Sequence, residues 1–179
     1  VAELTPFVVW MLSGGRFPLA LGVLQILALD IGTDTLSAVA LGAEPPSGHL
    51  LDGPPVRGAL LNRTVERRAF GVLGPTVALA AMAAFVVSLL AEGWGRGQPW
   101  PNEAGIAAAS GAAFMAVVIG QKANVFACRS STLRPGQLGW TTNRLLLFTV
   151  TIELAFALAV LWVPMVAGWL DHRNPPLWG

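Results

Sequence analysis

The stretch AFGVLGPTVALAAMAAFVVSLLA, residues 69–91, runs through an entire helix length without one charged side chain. The hydrocarbon core of a bilayer is about 30 Å thick, and an α-helix crosses it in about 20 apolar residues. A helix apolar on every side has no solvent face, so this stretch reads as a membrane span. Gly74-Pro75 is expected to kink it, which membrane helices tolerate because their neighbours re-satisfy the freed backbone groups.

Working outward, residues 104–127 and 145–170 have similar length and apolarity, each interrupted by polar residues near its middle or end. Upstream, residues 18–43 form a further span interrupted by Asp30 and Asp34, and residues 1–13 look like the tail of another, turned by Ser13-Gly14-Gly15. The expected fold is therefore all-α. It is a polytopic transmembrane helix bundle forming one membrane domain over 1–179, with one partial and four full helices. Val1 opens the chain inside an apolar stretch with no initiating Met and no basic segment before it, which is not the pattern of a signal peptide. The chain reads as a cut fragment that begins within a helix.

Composition agrees, with 54% hydrophobic and 12% charged residues, against about 25% charged in ordinary soluble domains. A formal net charge of +1 and the lack of a dense Lys/Arg block exclude nucleic acid as a partner. Cys128 is the only cysteine, so it has no disulfide or metal-ligand partner of its own kind and is expected to be a small packing residue. His49 and His172 fall in loops without partners at ligand spacing and are expected to face solvent.

Orientation follows from Lys and Arg in alternating loops. Arg57, Arg63, Arg67, Arg68, Arg129, Arg134 and Arg144 fall on one side, and Arg16, Arg96 and Arg173 on the other. A multi-pass protein of the cell membrane is predicted, with 44–68 and 128–144 cytoplasmic and with 92–103 and the C-terminal tail outside. Trp94, Trp100, Trp140, Trp169 and Trp178 lie at or near span ends, where an aromatic belt would place them. The small residues of AAASGAAF, 107–114, suit close helix packing.

Against this apolar background stand Glu3, Asp30, Asp34, Gln121, Lys122, Asn124 and Glu153. One charged residue at the centre of a spanning helix costs about 2.5–3.5 kcal/mol, so the four acids facing lipid would cost roughly 10 kcal/mol. They are expected to face one another, water or an ion. Asp30 and Asp34 are four apart and share a helical face. Gly32 lies between them, and a broken helix near Gly32 would free carbonyl oxygens beside those carboxylates. Carboxylates, a hydroxyl and free carbonyls are the hard oxygen ligands that sodium, potassium, calcium or magnesium take. The competing reading is a structural salt-bridged pair involving Lys122. Two roles are open to Lys122 itself: snorkelling to the cytoplasmic headgroups, or a built-in counter-charge that occupies one cation subsite.

The run Leu29-Asp30-Ile31-Gly32-Thr33-Asp34-Thr35-Leu36, followed by Ala40 to Pro46, resembles the sixth transmembrane segment of type II P-type cation ATPases and the start of its cytoplasmic loop. Glu3-Leu4-Thr5-Pro6-Phe7 resembles the fifth segment, Gly120 to Asn124 the eighth, and Asn143 to Glu153 the ninth. The resemblance implies that Glu3, Asp30, Thr33 and Asp34 are cation ligands or their neighbours. It matches Gln121 and Asn124 to polar site positions, and Glu153 to a glutamate near an accessory site. Asp30 leans toward the sodium/potassium or proton/potassium pattern, whereas Lys122 departs from the family pattern. Arg57, in a loop resembling the family's "PP…R" region, would help meet the phosphorylation domain or else be a solvated charge.

No Asp-Lys-Thr-Gly phosphorylation motif, nucleotide-binding segment or Gly-rich phosphate cradle occurs. The expectation is a membrane cation-binding and translocation portion of an ATP-driven pump, not catalytic alone and holding no cofactor of its own. Its partners would be lipid, a transported sodium, potassium, calcium ion or proton, and the pump's N-terminal membrane helices and cytoplasmic domains; magnesium-ATP belongs to the parent pump. The family's tenth segment would also be missing. Rival readings are a secondary transporter or channel subunit using the same carboxylates, and a stand-alone interaction fragment.

Overall fold

The computed structural model describes residues 1–45, 62–95, 97–130 and 139–163. The expectations for Arg57, Arg96, Arg134, Arg173, His49, His172, Trp169, Trp178 and residues 164–170 lie outside the described residues. Those described form five helices and no strand: α1 Leu4–Leu12, α2 Val23–Gly42, α3 Arg63–Ala91, α4 Glu103–Cys128 and α5 Arg144–Trp162. Helices α2 to α5 are each long and apolar enough to cross a membrane.

Three asparagines start three of these helices. The side-chain oxygen of Asn62 accepts from the backbone N–H groups of Thr64 and Val65, that of Asn102 from Gly105, and that of Asn143 from Leu146. Each satisfies donors that have no partner within the helix. The Asn62 cap carries α3 six residues upstream of the apolar stretch, because Arg63–Arg68 can form a turn beyond the hydrocarbon. At α2 the shift is the other way. Gly22 is extended, and the Gln25 side chain accepts its N–H at 2.8 Å, so the helix begins at Val23 rather than at 18. Gly14 and Gly15, at φ 65° and 75°, turn the chain out of α1 in a conformation that costs glycine little.

Both predicted irregularities take the form of one π-helical turn, over Ala69–Leu73 in α3 and Asp30–Asp34 in α2. The first directly precedes Gly74-Pro75, where proline lacks the N–H that an α-helical ladder needs.

The core lies where α3 and α4, the most extensive helix pair, meet the chain before α2 and the end of α5. Leu21, Phe85, Leu89, Phe114, Val117 and Leu161 are buried there, with Ala109 and Ala113 at the seam. Lipid tails are as apolar as leucine, so such contacts hold helices together by close fit rather than by escape from water. The outward-facing Leu79, Ile119, Phe148 and Leu158 remain exposed, as a lipid-facing surface requires. Trp94 and Trp100 stack at 4.6 Å in the α3–α4 connection, and Phe17 lies edge-on to Trp100.

Fit is tightest where Gly120 of α4 faces α3. A Cβ there would lie 2.8 Å from Cγ1 of Val77, a buried β-branched side chain with little rotamer freedom. Gly120→Ala is therefore expected to destabilise the bundle by about 1–3 kcal/mol, and adding Val77→Ala should recover most of it. Thermal unfolding in detergent checks this; an unchanged midpoint for Gly120→Ala would refute the close fit.

At the end holding Gly42, Cys128 and Arg144, Arg129 ties three segments together. Its guanidinium donates to both Glu44 oxygens, at 2.6 and 3.1 Å, to the Gly139 carbonyl at 2.9 Å and to Thr142. The Asn143 amide adds bonds to Glu44 at 2.7 Å and to the Ala40 carbonyl at 3.0 Å. The Arg129 hydrogen bonds hold the Glu44 carboxyl below its ordinary value of 4.5; burial opposes this and the Asn143 bond assists. A depressed folded-state value stabilises above the ordinary value and loses that contribution as pH falls through the depressed one. The stability gap between wild type and Glu44→Gln should thus be full above about pH 5 and shrink on acidification; a gap that widens on acidification would contradict it. Cys128, expected to pack inside, is exposed at the last residue of α4.

Candidate cation site

The π turn of α2 organises the site. Gly32 remains helical, and its lack of a side chain serves close approach: a Cβ would lie 2.2 Å from the Phe156 ring of α5. The wider turn also changes where polar groups find partners. The Leu29 carbonyl accepts from the Thr33 hydroxyl at 2.7 Å, and the Asp30 carbonyl from Thr35 at 3.1 Å. The Thr33 carbonyl accepts from the Lys122 ammonium at 2.6 Å, and the Ser37 N–H donates to Glu153 at 2.8 Å. Broken-helix carbonyls were expected beside an ion; those of Leu29 and Asp30 accept from hydroxyls and that of Thr33 from an ammonium.

Glu3, just before α1, joins Asp30 and Asp34 so that one carboxylate oxygen from each lies within 4.8 Å of the other two. Glu3 and Asp34 are half-buried and Asp30 is exposed. The Gln121 amide of α4 bridges the group, donating to Glu3 and to Asp34 at 3.0 Å each. Its carbonyl accepts from Thr33 at 3.3 Å, which fixes the amide's orientation. Two like charges 4 Å apart at a protein surface repel by about 4 kcal/mol, so three carboxylates this close call for a cation or for protons between them. Oxygens from three acids suit a hard cation.

A second cluster adjoins the first. Lys122, next to Gln121, is 5% exposed. It donates to Glu153 Oε2 at 2.6 Å, to the Thr33 carbonyl at 2.6 Å and to Ser37 Oγ at 3.2 Å. Glu153 is wholly buried, with its other oxygen on the Ser37 N–H and Oε2 also accepting from the Ser37 hydroxyl. Snorkelling is thereby overturned. The Lys122 stem is drawn into the bundle because a fully buried carboxylate on α5 awaits its charge. The ion pair weighed for Asp30 and Asp34 is made with Glu153 instead.

The structure thus gathers Glu3, Asp30, Asp34 and Gln121, places Thr33 between the two clusters, and assigns Glu153 to Lys122. Asn124, one turn from Gln121, joins Asp34, Ser37, Gln121 and Cys128 on the wall of a cleft of about 320 Å³. Ser37 escaped the sequence reading, although it lies four residues after Thr33, on the same helical face. The buried contact of Ser110 with the Ala20 carbonyl and Gln25, at 2.9 and 3.0 Å, was also not foreseen.

Comparison with known proteins gives these geometries a setting. The family described as cation transporting ATPase, C-terminus, matches residues 18–179, a range that leaves Glu3 outside. The chain is 26% identical over 208 residues to sodium/potassium-transporting ATPase subunit alpha-1 of Oreochromis mossambicus, covering 99% of the chain and 20% of that relative. Subunit alpha-4 of Rattus norvegicus is 27% identical over 195 residues, 92% of the chain and 18% of the relative. Subunit alpha of Hydra vulgaris is 30% identical over 97 residues, 52% of the chain and 9% of the relative. The chain spans about a fifth or less of the length of these relatives. With a matching family over most of its length and an all-helical bundle of apolar spans, the chain belongs to the cation transporting ATPase C-terminal family, the C-terminal membrane region of a P-type ATPase.

Proposed function

We propose that this region binds and translocates the cation carried by an ATP-driven pump, with Glu3, Asp30 and Asp34 as its anionic ligands and Gln121 holding two of them in place. The observation that carries the reading is three carboxylates from two segments converging within 4.8 Å beside a π turn. In a bundle of largely apolar spans such a cluster is stabilised by what it binds. Thr33 and Asn124 border the site, and Glu153 acts through Lys122.

Phosphorylation and nucleotide binding belong to the remainder of such a pump, where magnesium-ATP would act. The helices before α1 would cover Asp30, the exposed member of the cluster. A pump alternates between states that bind its ion tightly and weakly. In this reading the π turn is the element that opens and closes the carboxylate group. The end holding Arg129 and Glu44 faces the cytoplasm, following the Arg distribution. The relatives named above are sodium/potassium-transporting ATPases, which favours a monovalent cation.

Transport by the intact protein in sealed vesicles tests the reading. Sodium or rubidium uptake is expected to require ATP. Uptake driven by an ion gradient alone, unaffected by ATP, would favour the secondary-transporter reading and defeat the pump.

A further inference from the structure

We infer that Lys122 is a tethered cation that fills a second oxygen cage beside the carboxylate cluster, so that Glu153 carries no transported ion. The inference rests on the pump reading and deepens it, because it fixes which anions of the membrane site remain available.

The cage is built from a backbone carbonyl, a hydroxyl and a carboxylate: Thr33 O at 2.6 Å, Ser37 Oγ at 3.2 Å and Glu153 Oε2 at 2.6 Å from the ammonium nitrogen. These are the oxygen types that a hard metal cation collects. An ammonium has three hydrogens, and each has an acceptor here. Three elements supply the cage and its occupant: Thr33 and Ser37 come from α2, Glu153 from α5 and Lys122 from α4. The cage is also contiguous with the carboxylate cluster, since Thr33 precedes Asp34 and Gln121 precedes Lys122.

Occupancy follows from burial. Glu153 is wholly buried and Lys122 is 5% exposed. A free ion reaching Glu153 would have to displace the ammonium and leave it unpaired among apolar helices, which is strongly unfavourable. The tether thus supplies permanently the charge that a diffusible ion would otherwise bring. It withdraws one anion from the transport site, and the charge moved per cycle falls by one relative to the same cage open to a metal ion.

Counting ions tests this. Equilibrium binding of radioactive sodium, and separately of rubidium, to the purified intact protein gives the number bound per molecule. Lys122→Ala empties the cage and is expected to bind one additional ion. Lys122→Met, whose apolar chain still fills the space, keeps the wild-type number. The double variant Lys122→Met with Glu153→Leu removes both charges, avoids an unpaired buried charge, and is also expected to keep the wild-type number. An unchanged count in Lys122→Ala overturns the assignment. One ion fewer in the double variant overturns it too, because Glu153 would then hold a transported ion; that arm decides even where Lys122→Ala fails to fold. A wild-type protein that binds neither ion overturns the reading of a sodium- or potassium-carrying pump and this assignment with it, whereas normal wild-type binding with an unchanged count in Lys122→Ala overturns this assignment alone.

Discussion

Replacing Glu153 with alanine is expected to destabilise the protein by about 3–5 kcal/mol, because it leaves the ammonium of Lys122 buried without its anion. Lys122 keeps the Thr33 carbonyl and the Ser37 hydroxyl, but neither carries the opposing charge. The Ser37 N–H loses its acceptor as well, and a buried donor without a partner costs about 1–3 kcal/mol. The pair itself need not add net stability, since desolvating two ions offsets most of their attraction. The second half of the prediction follows from that asymmetry. Lys122→Met with Glu153→Leu still takes the Glu153 acceptor from the Ser37 N–H, so it should lose about 1–3 kcal/mol, less than either single charge removal. Denaturant unfolding in detergent, read as a double-mutant cycle, measures the coupling. A double variant no better than the sum of the single losses would mean that the two side chains do not act as a pair.

Much of the fold was legible because hydropathy in a bilayer is a one-dimensional signal. Residues 69–91 announce α3 without any knowledge of what packs on it, and the remaining spans follow from the same length requirement. Helix starts were less legible. Asn62 and Gly22 move two of them by several residues through local hydrogen bonds that a hydropathy window does not weigh. Gly32 falls within one irregular turn and Gly74-Pro75 directly follows the other, while the π-helical form of each is a matter of backbone bonding that hydropathy does not weigh.

The site shows the same division. Acids at membrane depth are visible in sequence because each is costly alone, so Glu3, Asp30, Asp34 and Glu153 stood out together. Which acid pairs with which cation is a matter of rotation about the helix axes. Gln121 and Lys122 are adjacent in sequence and about 100° apart around α4. One serves the open carboxylate group and the other the buried cage. Length and composition contain nothing that sorts them.

That sorting sets the expectation for Asp34 and Asp30. Asp34→Asn keeps the size and an acceptor for the Gln121 amide, but removes one charge from a group of three. The lost attraction for a monovalent ion about 4 Å away is about 4 kcal/mol in surroundings of intermediate polarity. Relief of repulsion among the remaining carboxylates gives part of this back. A net loss of about 1.4–2.8 kcal/mol corresponds to a ~10–100-fold rise in the cation concentration that half-activates phosphorylation of the intact pump. Asp30 is exposed and better screened, so Asp30→Asn should fall near the lower end. Asn124→Ala, on the cleft wall rather than in the cluster, should shift it by no more than a few-fold. Cation-dependent phosphorylation, titrated for all three variants, ranks them directly. If Asp30→Asn and Asp34→Asn both stay within about twofold of wild type, the carboxylates converge for some reason other than holding the transported ion.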